Sequence, residues 1–118
     1  MASSTLLDPT RPDVLALTSA TEFSDRGIVS RGVLSSPGLR VTLFGFAAGQ
    51  ELTEHASPMR AMIQILSGSS EWVVAGEPRT VEAGGLLHLP PGTPHAVRAV
   101  EPFSMLLTLV REPADPAG

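Results

Sequence analysis

The chain of 118 residues contains no cysteine, no tyrosine, no lysine and no asparagine. Codon usage in an AT-poor genome accounts for the set, but each absence still removes chemistry. Without cysteine there is no disulfide, no thiol nucleophile and no thiolate ligand for a metal. Without lysine there is no Schiff base. Any chemistry must come from His, Asp, Glu, Ser, Thr, Arg or a bound ion. The eight cations are all arginines, scattered singly from Arg11 to Arg111, and the formal net charge is −4. No basic patch marks a nucleic-acid surface. No long apolar run occurs, so neither a signal peptide nor a membrane span is expected, and a cytoplasmic protein is the default.

What is present points to one globular domain. The apolar fraction is 42% and the charged fraction 17%, values of a folded chain rather than a disordered one. At this length roughly two-thirds of the unfolded surface can be buried, enough for one core. The proline-containing ends, residues 1–13 and 111–118, read as a loosely held arm and tail around a single domain at 14–110.

Helical evidence is poor. Eleven glycines and eleven prolines interrupt any stripe of period 3.6. Short Val-, Leu- and Ile-rich runs at 38–47, 60–66, 71–75, 86–90, 95–100 and 103–110 read as strands, with weaker candidates at 14–19 and 27–34. About eight strands separated by turn signals every 8–12 residues predict an all-β sandwich or barrel. Several runs are apolar on both faces, Met105–Val110 above all. That pattern predicts a second buried surface, most simply a homodimer interface.

Two segments combine glycine turns with histidines. In the first, "GQELTEHASPMRAMIQILSG", five residues separate Gly49 from His55, and Gly68 closes the following strand. In the second, "GGLLHLPPGTPHAV", Gly84 is followed by His88, Pro90, Gly92 and His95. Pro90, Pro91 and Gly92 stop a strand and turn the chain, so His95 returns at the start of the next strand.

The two segments resemble the two motifs of the cupin family. In the first, Gly49, His55 and Gly68 match, while Ser57 stands where the family has a second histidine and Ala61 where it has a glutamate. In the second, Gly84, Pro90, Gly92 and His95 match and Ala99 replaces an asparagine. The resemblance spans about residues 38–110. It implies a small jelly-roll barrel, or double-stranded β-helix. Many family members hold Fe, Mn, Ni, Zn or Cu through three histidines and a glutamate. The family includes dioxygenases, decarboxylases, isomerases and epimerases as well as sugar-binding and regulatory domains, so the fold alone selects no function.

Carried over residue by residue, the ligand set reduces to His55 and His95, with Ser57, Ala61 and Met59 as further pocket residues. Catalytic zinc usually takes three protein ligands, and non-haem iron two histidines and a carboxylate. Glu51 shares strand parity with His55, but four residues along a strand is about 13 Å. Glu54 has the wrong parity, and Gln64 lies out of register with the glutamate position. His88 is the candidate third ligand or pocket acid–base if its strand turns that face inward; otherwise it is a hydrogen-bonded surface imidazole. Ser57 near His55 has no positioned acid and no nucleophile elbow. Trp72, Phe44, Phe46 and Phe103 read as core, Met62 as core or pocket mouth, and Arg40 and Arg60 as exposed strand residues.

Two functions are open at this point. One is a small-molecule-binding cupin with a divalent transition metal (Fe, Mn, Ni or Zn) on His55 and His95, of oxygenase or isomerase type. The other is a metal-free, non-catalytic cupin acting as a ligand sensor or accessory dimer.

Overall fold

A computed structural model describes residues 5–113. Nine strands follow one short helix, α1 (Leu17–Ala20). They are β1 (Val29–Ser36), β2 (Leu39–Phe46), β3 (Glu51–His55), β4 (Arg60–Ser67), β5 (Ser69–Val74), β6 (Glu77–Glu82), β7 (Leu86–Leu89), β8 (His95–Arg98) and β9 (Phe103–Val110). A five-stranded sheet has the order β1-β2-β9-β4-β7, and a four-stranded sheet the order β3-β8-β5-β6. Every pairing is antiparallel. The two sheets face each other as an all-β jelly-roll barrel. Among the described residues no helix is long and apolar enough to cross a membrane.

Alternation along the strands builds the core. Ala61, Ile63 and Ile65 of β4 point inward, as do Leu87 and Leu89 of β7 and Phe103 and Met105 of β9. Trp72 and Val97 meet them from the four-stranded sheet. Phe46 and Phe103 are opposed in the ladder and stack with ring centroids 4.4 Å apart.

Two strands, β3 and β6, carry no apolar run. Both are edge strands, and β6 reads Glu-Pro-Arg-Thr-Val-Glu, almost wholly exposed. Its partner strand β5 is joined to it by a two-residue turn, Ala75-Gly76, with φ of 50° and 81°. Positive φ at both central residues is the type I′ pattern that matches strand twist.

The strand expected at 14–19 is not formed. Residues 17–20 make a single helical turn instead, with Ala20 N–H bonded to the Ala16 carbonyl at 3.1 Å. Ala and Leu are good helix formers, and the β1 border is taken up by Leu6 and Leu7 rather than by this segment. It lies on the outer face of the five-stranded sheet, where Ala20 and Leu15 join a second apolar cluster with Val33, Leu43, Leu66 and Leu106. Leu6 and Leu7, within the segment expected as an arm, donate their N–H groups to Gly32 and Val33 along the free edge of β1 and pack on the same cluster. The double-faced apolar character of β9 therefore has a partner within the chain: Leu106 packs on this cluster, while Leu107 and Leu109 face the barrel. In the expected tail, Arg111 N–H bonds to the Gly38 carbonyl; residues 114–118 lie outside the described residues.

Candidate functional site

The two motif loops are tied directly to each other. Gly92 N–H donates to the Ser57 carbonyl at 2.7 Å. Residues 90–93 form a β-turn closed by Thr93 N–H on the Pro90 carbonyl, with Pro91 second and Gly92 third at φ 81°. A turn with proline second and positive φ third is of type II, and glycine is the residue that adopts it without strain. This turn sets β8 beside β3, so that His95 and His55 are opposed in the ladder.

A β-bulge between Leu52 and His55 completes the placement. Strict alternation puts Glu51 and His55 on one face. The extra residue reverses that parity. Leu52 and His55 both line the barrel, whereas Glu51 and Glu54 line the outside of the four-stranded sheet. Glu51 is thus removed from the site by facing rather than by distance.

The rings of His55 and His95 lie 4.2 Å apart between centroids, inclined at 56°. His95 is deep, 8% exposed, and its ring centroid is 6.4 Å from that of Trp72. His55 is exposed at the mouth. Each ring places Nδ1 2.9 Å from the carbonyl of the residue two before it, Thr53 for His55 and Thr93 for His95. A carbonyl oxygen only accepts, so Nδ1 carries the proton in each neutral ring and Nε2 keeps the lone pair. Neither Nε2 has a hydrogen-bond partner among the described residues.

The rings border a cavity of about 200 Å³ between the sheets. Apart from Ser57, its remaining walls are apolar: Phe44, Leu52, Ile63, Trp72, Val97 and the inward residues of β9, Met105, Leu107 and Leu109. Trp72 directs its indole N–H to Ser70 Oγ at 2.8 Å, and that hydroxyl donates to the Val81 carbonyl. Ser57 and Ala61 both line the cavity. Ser57 Oγ accepts the Met59 N–H at 3.1 Å. Met59, expected as a pocket residue, is partly buried outside the lining, and Met105 supplies the thioether there. The β9 residues were findable, since positions 105, 107 and 109 share parity with the core residue Phe103.

His88 does not join the pair. Burial on β7 alternates with Leu87 and Leu89 inside and Leu86 and His88 outside. Its Nε2 lies 2.6 Å from Arg60 Nη1. Since a guanidinium only donates, the imidazole accepts. Arg60 also pairs with Glu112. The imidazole belongs to a surface ion-pair group, the hydrogen-bonded alternative expected for it.

A larger depression of about 630 Å³ lies on the outer face of the four-stranded sheet. It is the more open of the two and lined by charged side chains: Arg98 pairs with Glu71 at 3.1 Å, Arg79 lies 3.7 Å from Glu77 beside it, and Glu51 and Glu54 also line it. The smaller cavity, less open and bordered by two imidazoles whose Nε2 atoms have no partner among the described residues, is the candidate site.

The metal site expected from the resemblance can be tested against these residues. Two imidazoles are present, Ser57 is engaged by a backbone amide, and Ala61 offers a methyl group. Among the described residues no group of three or more His, Cys, Asp or Glu could hold a metal ion. The donor set does not fit a three-histidine, one-carboxylate centre.

The fold and the cavity define a class: small jelly-roll barrels with a ligand cavity between two sheets. The sequence matches the family described as "Cupin domain" over residues 42–110, and the chain belongs to the cupin family. It is similar to a conserved protein of unknown function from Streptococcus pyogenes, with 35% identity, a TM-score of 0.82 and 97% and 98% of the two chains covered. An RmlC-like cupin protein from Desulfovibrio desulfuricans is 32% identical at a TM-score of 0.77, over 85% of this chain and 97% of that one. A cupin 2 conserved barrel domain protein from Leptotrichia buccalis is 35% identical at 0.75, over 80% of this chain and 46% of that one. No curated protein matches the chain.

Proposed function

We propose that this cupin binds a small molecule in its barrel cavity, with His55 and His95 as the polar anchors and without a resident metal. The observation that carries this reading is the pair of imidazoles, each with an unpartnered Nε2, bordering a largely apolar cavity. A ligand held by such a cavity gains apolar burial from the walls and orientation from a few convergent polar groups. Among the described residues nothing near the pair supplies a nucleophile with its base and acid, which favours a ligand-binding or sensing domain over an enzyme.

A divalent transition metal is the competing occupant, because metal-ligating imidazoles also give their second N–H to a carbonyl. The donor count favours the metal-free reading. Metal analysis of protein purified without a histidine tag tests the choice. Substoichiometric Fe, Mn, Ni and Zn is expected, both as purified and after incubation with each ion and gel filtration. Near-stoichiometric metal that disappears in His55→Ala and His95→Ala would establish a two-histidine metal centre in its place.

The assembly we propose is a homodimer through the uncovered part of the five-stranded sheet's outer face, near Leu86, which is 60% exposed. Light scattering at micromolar concentration is expected to give twice the monomer mass; a monomer would refute it.

A further inference from the structure

The chemistry of the cavity selects its occupant, and this step rests on the binding reading just given. No Asp, Glu or Arg lines the cavity among the described residues. A carboxylate or phosphate ligand would enter without a permanent counter-charge, and so would an ammonium. Burying an unpaired ion is strongly unfavourable. A neutral occupant avoids that cost.

Its polar groups follow from those of the walls. Trp72 N–H is already engaged by Ser70. Ser57 Oγ already accepts a backbone N–H and retains one hydroxyl proton. In their neutral forms His55 and His95 present acceptors at Nε2, since Nδ1 donates to the Thr53 and Thr93 carbonyls. A ligand that carries only acceptors leaves Nε2 of the buried His95 unpaired, while His55 at the mouth turns to water. A ligand that carries one or two O–H donors satisfies them.

Size and wall chemistry fix the rest. An apolar cavity of about 150 Å³ holds one benzene ring; this one measures about 200 Å³, which is one ring with one or two substituents. Phe44, Trp72 and Met105 supply aromatic and thioether surface that suits a ring. We infer that the cavity is a site for a neutral one-ring phenol or catechol, whose hydroxyls donate to Nε2 of His95 and His55.

Titrating the full chain at pH 7.5 with phenol, catechol, toluene, benzoate and benzylamine, followed by protein NMR, tests this. Phenol and catechol should bind at least about fivefold more tightly than toluene, the worth of one hydrogen bond, and benzoate and benzylamine more weakly than either. Binding should move the Nε2 nitrogen resonances of the histidines. In His95→Phe the preference of phenol over toluene should vanish; His55→Phe, at the exposed mouth, tests the same point if the buried variant does not fold. Ala61→Leu should abolish binding of every arene. Toluene binding as well as phenol, or benzoate or benzylamine binding tightest, would overturn the donor argument while leaving the cavity a ligand site. Phenol binding that survives Ala61→Leu, or that requires added Zn²⁺, would also overturn the inference. Failure of all five probes to bind would remove the inference together with the reading beneath it.

Discussion

His55 and His95 stand opposite each other in the β3–β8 ladder, 4.2 Å apart between ring centroids, and each is anchored through Nδ1 to its own chain. This anchoring leaves two acceptors in place and two positions, 57 and 61, where the donor set stops short.

That shortfall predicts a gain of function. The double variant Ser57→His, Ala61→Glu restores four donors on the same frame. It should take up about one equivalent of Zn²⁺ or Ni²⁺ and become more thermostable with metal than without. The carboxylate introduced at position 61 is buried, and should make the metal-free double variant less stable than the parent. Metal analysis and thermal unfolding with and without chelator check both halves.

Filling the cavity should stabilise the barrel. Ala61 is buried and faces open space as well as Ile63 and Leu89. Ala61→Leu adds three carbons to an apolar enclosure, worth about 1–2 kcal/mol after some strain. Urea denaturation should show a higher midpoint at unchanged slope.

Gly68 should tolerate no side chain. A Cβ there would lie 2.2 Å from the Pro102 carbonyl oxygen, and φ is +75°. Gly68→Ala combines the left-handed penalty with a backbone clash and should cost at least about 2 kcal/mol. The same urea experiment reads it.

The opposite sign is expected at Ala75, a non-glycine residue at φ +50° in an exposed type I′ turn. Ala75→Asn gives the Asn-Gly pair that this turn prefers. A gain of about 0.5–1 kcal/mol is expected, seen as a rise in melting temperature.

His88 provides the control for the site. Its contact with Arg60 is on the outer face, so His88→Ala should leave arene affinity unchanged. Its effect on stability should stay within about 1 kcal/mol, as for other surface polar pairs.

Much of this arrangement was legible in the sequence, for definite reasons. The inward strands β2, β4, β5, β7, β8 and β9 carry apolar runs, and the second histidine motif is a turn whose proline and glycine each have a backbone role. The first motif's glycine at 68 is required by the close approach of Pro102. The helical turn at 17–20, the bonding of Leu6 and Leu7 to β1 and three further features were not legible. Edge strands β3 and β6 are polar, and pattern alone does not separate them from loops. The bulge at 52–55 reversed the side of Glu51, since an inserted residue leaves no mark in composition. "LLHL" is apolar at both parities, so only pairing with β4, where Met62 opposes His88, settles which way the imidazole faces.

The strand pairings have a consequence for how such a barrel meets its neighbours. An unpaired strand edge invites growth of the sheet into another molecule. Here each of the four borders is closed by a different means. The β1 border is occupied by Leu6 and Leu7; β7 is only four residues long; β3 is bulged; β6 contains Pro78 among charged residues. Fibrous or ribbon-like growth by strand addition is discouraged at every border, and encounters between molecules are left to the broad sheet surfaces, where side chains rather than backbone determine what adheres.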